Sequence, residues 1–254
     1  MGKTGSRNGS GLLPAVLAVA TIAGGVVWAV WGWNARAALA GTNFYFWFLL
    51  CLCGELLRTR TASGKATTTM AACPHLACLL VLRRPEAMAV VGLASLVTGR
   101  LVHRRSWSHG VFEAGAVMSV VGLARVVFDA LAKDGWSPSS LVASGHYVPI
   151  LAAGVVYFGV TLAARTVWAT VAERRSPWEA SQAQFGSRFD LLGAGALLSL
   201  GMLLAVQFKQ AGALGAIALV LPVAVAKYGF DQFAGTGKRS GEAAPSRERQ
   251  RIAA

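Results

Sequence analysis

Apolar residues in this chain come in runs about as long as a bilayer is thick, separated by short polar and basic punctuation. The runs cover Leu12 to Trp33, Ala38 to Leu57, Met70 to Leu82, Glu86 to Val102, the stretch from His103 to Lys133, His146 to Ala172, Phe189 to Phe208 and Ala211 to Phe230. The pattern predicts an all-α, polytopic integral membrane bundle of about eight transmembrane helices over residues 12–233. A short polar tail, 1–11, and a basic tail, 234–254, flank it, and both are expected to be disordered. The stretch His103–Lys133 organises the rest. A basic collar, Arg104 and Arg105, opens it, and Glu113, Arg125 and Asp129 sit inside its apolar run.

Two runs need more than length to be read. Leu12–Trp33 has the basic head of a signal peptide, but it is too long for a signal h-region and lacks a convincing small-residue cleavage site. Trp28, Trp31 and Trp33 at its far end suit an aromatic belt, so it is expected to be an uncleaved helix. Met70–Leu82, broken by Pro74, is short for a span and follows the polar strip GELLRTRTASGKATTT. It either crosses, extended by the threonines, or re-enters. A polar connector, Asp134–Gly145, and the loop ERRSPWEASQAQFGSR complete the punctuation, with an interfacial helix expected after Pro177.

Composition agrees with a membrane protein. Of 254 residues, 55% are hydrophobic and only 14% charged, where a soluble domain is about a quarter charged. The net charge of +13 does not point to nucleic acid, because the basic residues lie between apolar runs and in the tails. With eight crossings and a cytoplasmic N-terminus, about fifteen Lys and Arg fall inside and about five (Arg36, Arg83, Arg84, Lys133, Lys209) outside. Both termini are therefore expected in the cytoplasm, and the alternation favours Met70–Leu82 crossing. Richness in Gly, Ala and Arg suggests a bacterial cytoplasmic membrane, which makes the formal myristoylation match of MGKTGS a chance one.

Candidate chemistry lies in the charges within the runs. Glu55, Arg100, Glu113, Arg165 and Asp190 are expected toward the cytoplasmic half of the bundle, with Glu113 approaching Arg165 or Arg100 across a helix interface. Arg125 and Asp129, one turn apart, can pair within their helix. These seven residues are either structural pairs that fix helix register or a ligand site between helices. Cys51, Cys53, Cys73 and Cys78 all lie in apolar runs, which speaks against a disulfide framework. With His75 they have the donors of a soft-metal site, but small apolar cysteines are common in buried helices, and no metal or cofactor is expected. No nucleophile elbow, HExxH or phosphate loop occurs. Gly115, Ser119 and Gly122, and likewise Gly193, Gly195 and Gly201, form small-residue stripes suited to close helix packing.

The order of GELLRTRTASGKATTT, a short apolar hairpin and RLVHRRSWSHGVFEAG resembles the membrane module at the N-terminus of bacterial HD-GYP-type and GGDEF-type signalling proteins. The matching punctuation is Glu55-Leu56, Ser63-Gly64, Arg104-Arg105 and Phe112-Glu113-Ala114, with residues 155–179 similar to the module's later span and basic loop. Glu113 departs from the family pattern, which more usually has an amide or small polar residue there. About twenty polar residues follow the last run, so no phosphodiesterase or cyclase output domain is expected. The resemblance implies a sensory or ligand/partner-binding module that is not itself an enzyme and acts through a separate cytoplasmic signalling partner. The alternative is a small-molecule transporter or substrate-binding subunit similar to energy-coupling-factor components, working with a cytoplasmic ATPase. The lipid bilayer is the partner common to both.

Overall fold

The computed structural model describes residues 12–30, 42–60, 67–104, 106–132, 147–185 and 188–252. The polar tail 1–11 and the connector Asp134–Gly145 lie outside these. Each of the eight apolar runs is helical: α1 (Leu12–Val30), α2 (Thr42–Leu56), α3 (Ala72–Val81), α4 (Arg84–Val97), α5 (Trp107–Leu131), α6 (Tyr147–Ala172) and the two arms of α8 (Arg188–Ile252). The interfacial helix expected after Pro177 is α7 (Pro177–Phe185), capped by Ser176 Oγ accepting from the Glu179 N–H at 3.2 Å. Four helices are long and apolar enough to cross a membrane: Arg84–Val102, Trp107–Leu131, Tyr147–Ala172 and Leu192–Val225. Val155, Leu192 and Leu214 leave at least 67% of their surface outside the protein, as lipid-facing side chains do. These helices support a membrane protein.

The helix α5 is the hub, packed against α1, α4 and α6. Its N-cap is Ser106, whose Oγ accepts from the His109 N–H at 3.4 Å. Gly115 explains how α1 comes so close: a Cβ there would meet the backbone N of Ile22 at 2.6 Å. The last turn of α4 widens into a π-turn, Thr98–Val102, that carries Arg100.

Where α5 is continuous, the neighbouring layer is broken. The helix α3 has ten residues, about 15 Å of rise, half of what a crossing needs. By itself it does not cross, against what the alternation of basic loops favours. Its predecessor α2 ends at Leu56, and between them the chain forms a two-stranded antiparallel hairpin, β1 (Arg58–Arg60) with β2 (Thr67–Thr69). The hairpin is closed at its base by Met70 N–H donating to Leu57 O at 3.0 Å. Gly54 permits the contact of α2 with α3, since a Cβ there would reach Pro74 Cγ at 2.8 Å. Gly201 does the same for α3 and α8, with Cys73 O at 2.8 Å from its would-be Cβ. Gly193 and Gly195, placed in the same stripe by sequence, have open space around them.

The break in α8 falls at Gly212, whose φ of 64° only glycine adopts without strain. Leu200 and Leu204 on one arm and Leu219 and Val223 on the other line a single crevice, so the two arms fold back as the hairpin expected around Lys209 and Gln210. The helix then continues to Ile252, through the stretch where composition suggests disorder.

Candidate functional site

The break between α2 and α3 leaves polar groups in the middle of the bundle. Glu55 stands in the last turn of α2, where its charge adds to the negative end of the helix dipole. His75 stands in the first turns of α3, just after Pro74. Tyr157 comes from the middle of α6. All three are buried, at 8%, 2% and 5% exposure.

Their atoms form a chain. His75 Nδ1 lies 2.9 Å from the Tyr157 hydroxyl, and His75 Nε2 lies 3.8 Å from Glu55 Oε1. The second distance is too long for a hydrogen bond, and Nε2 makes none among the described residues. With the proton on Nε2, the tyrosine hydroxyl donates to Nδ1 and the Nε2–H faces the carboxylate. A small approach of α3 to α2 would complete the chain from Tyr157 to Glu55. Arg165, two turns along α6 from Tyr157, is within electrostatic reach of both His75 and Tyr157. Cys51 and Cys78 face each other beside the chain, Sγ to Sγ 3.5 Å apart. All four cysteines are free thiols, and among the described residues no three His, Cys, Asp or Glu are placed to hold a metal ion.

The charges grouped by depth in the sequence separate into distinct clusters. Glu55 belongs to the buried chain, and Arg165 lies within electrostatic reach of it. Arg100 and Glu113 belong to the α4–α5 turn. There Glu113 Oε2 lies 3.8 Å from His109 Nε2, one turn earlier on its own helix, and beside Gly99 of the π-turn. The Arg100 guanidinium rests 4.8 Å over the Trp107 ring, and Trp168 of α6 packs on His109 and Phe112. The side chain of Asp190 lies outside the described residues.

Arg125 and Asp129 pair within α5, Nε to Oδ1 at 2.8 Å. The arginine also reaches across to α3, where Nη1 donates to the carbonyls of Leu79 and Leu82. Those are the carbonyls that the end of a helix leaves without partners. Arg125 is therefore the C-terminal cap of the short buried helix.

Tyr157 was not a candidate from sequence, and His75 was one only as a metal ligand. A tyrosine in an apolar run reads as core or interface, and nothing in the chain marks two residues 82 positions apart as partners. On the far side of the same junction, Gly54, Cys73 and Pro74 border an open apolar crevice against the two arms of α8. No protein-family model, curated protein or solved structure matches this chain.

Proposed function

We propose that the chain is a sensory, ligand- or partner-binding bundle of a bacterial cytoplasmic membrane, and that the Glu55–His75–Tyr157 chain is its switch. The observation that carries this is the buried His75 Nε2, which lies 3.8 Å from Glu55 Oε1 and makes no hydrogen bond among the described residues. Buried ionisable groups in a membrane are expensive to keep. A pair that stops short of its hydrogen bond, on two separate short helices, is suited to having two arrangements. The array is buried, which favours a switch over an active site that a substrate must enter. Closing the gap would draw α3 toward α2 and pass the movement to the basic hairpin between them, where a cytoplasmic signalling partner would read it.

The reading is tested with thiol reagents on the purified protein. Cys53 is exposed at the junction while Cys51, Cys73 and Cys78 are buried, so its labelling rate reports the α2–α3 contact. Tyr157→Phe and Glu55→Gln are expected to change that rate several-fold while the fold is kept. Unchanged labelling in both variants would remove the switch.

A transporter reading is favoured by one feature. Short helices that meet inside a bundle at a polar site are how many transporters build a substrate site. Tyr157→Cys separates the two readings. A transporter would expose this position to impermeant maleimides from each side of the membrane in turn, and a switch to neither.

A further inference from the structure

The crevice beside the junction has walls that are almost wholly apolar, formed by Leu57, Met70, Pro74, Leu204 and Val223 among others. Water needs several polar partners to occupy such a space. Within a bilayer the material that fills it is hydrocarbon. The rim has a different character. Leu57 and Met70, both wall residues, are hydrogen-bonded to each other and lead directly into β1 and β2. The hairpin therefore grows out of the mouth of the crevice.

Its sequence is basic and rich in hydroxyls. Arg58 and Arg60 are the first and last residues of β1. They pair in register with Thr69 and Thr67. Lys65 follows in the sequence, and no carboxylate occurs between Glu55 and Glu86. An apolar slot whose mouth leads into a segment of basic sequence matches an amphiphile with an anionic head, and arginine suits phosphate in particular.

We propose that the crevice holds an acyl chain of an anionic phospholipid from the bilayer, with the lipid's phosphate taken by the hairpin that carries Arg58 and Arg60. The site goes beyond the switch reading and fails separately from it, because it depends on the headgroup and not on Glu55, His75 or Tyr157.

The experiment uses the full chain in detergent, titrated with phosphatidylglycerol or phosphatidylcholine of identical acyl chains and followed by thermal unfolding. Phosphatidylglycerol is expected to raise the unfolding midpoint at a concentration at least about tenfold lower than phosphatidylcholine. Glycerol phosphate, which lacks the chains, is expected to produce no shift. Arg58→Gln with Arg60→Gln should bring the two lipid curves together, and Val223→Trp should weaken the response to phosphatidylglycerol by blocking the slot. Equal responses of the unaltered chain to the two lipids would overturn the proposal without recourse to any variant. So would a tenfold preference that survives loss of both arginines, or a full response after Val223→Trp.

Discussion

Two sets of charges lie inside this bundle, and they are finished to different degrees. At the outer contact of α5 with α3, Arg125 spends its guanidinium on Asp129 and on two helix-end carbonyls. Asp129 is half outside the protein. Nothing there awaits a partner. At the α2–α3 junction, Tyr157 satisfies one nitrogen of His75 and the other stops 3.8 Å from Glu55. Both arrangements hold the same short helix, one at each end. The C-terminal end is clamped by a residue with every reason to stay where it is, and the N-terminal end rests on a contact that is incomplete. The difference suggests an element pinned at one end and adjustable at the other.

Substitutions can break this comparison. The largest effect is expected from Arg125→Met, which strips the cap from α3 and strands Asp129, at a cost of about 3 kcal/mol. Reversible unfolding in mixed micelles measures it, and a loss under about 1 kcal/mol would mean that the clamp is not one. Gly201→Val comes next, since even a Cβ there meets the α3 backbone. A cost of about 2 kcal/mol is expected from the forced separation of α3 and α8, read in the same assay. Tyr157→Phe removes one neutral hydrogen bond and should cost about 1 kcal/mol, while its effect on Cys53 labelling is several-fold. That contrast between small energy and large response is what the comparison requires of the adjustable end. Asp129→Asn should be the mildest, at about 0.5 kcal/mol, because its carboxylate is half exposed.

The clamped end was legible in the sequence and the adjustable end was not. Arg125 and Asp129 are four residues apart on one helix, so their pairing follows from helix geometry alone. That Arg125 also caps a separate helix requires knowing that α3 stops at Val81, which hydropathy does not show. Helices were legible wherever apolar runs were long. The hairpin of α8 was visible in Lys209 and Gln210, two residues from the glycine that makes the bend. Pro74 marked a disturbance in the third run, but a run's depth and direction are not in its composition. Of the charges expected to meet near the cytoplasmic side, Glu113 is found 3.8 Å from His109 of its own helix and beside Gly99 of the π-turn that carries Arg100. Glu55 was a candidate through its charge alone. Its partners were hidden because a histidine and a tyrosine in apolar surroundings resemble ordinary core residues, and only the packing of α6 against the α2–α3 break brings them together.

The central claim is that Glu55 and His75, on two different helices, act as one unit although no hydrogen bond joins them in this arrangement. A double-mutant cycle with Glu55→Gln, His75→Leu and both together, read by reversible unfolding of the purified protein, tests it directly. The double variant is expected to lose less than the sum of the single losses, with a coupling of about 1–2 kcal/mol. Losses that add within about 0.5 kcal/mol would show two independent buried residues and contradict the account.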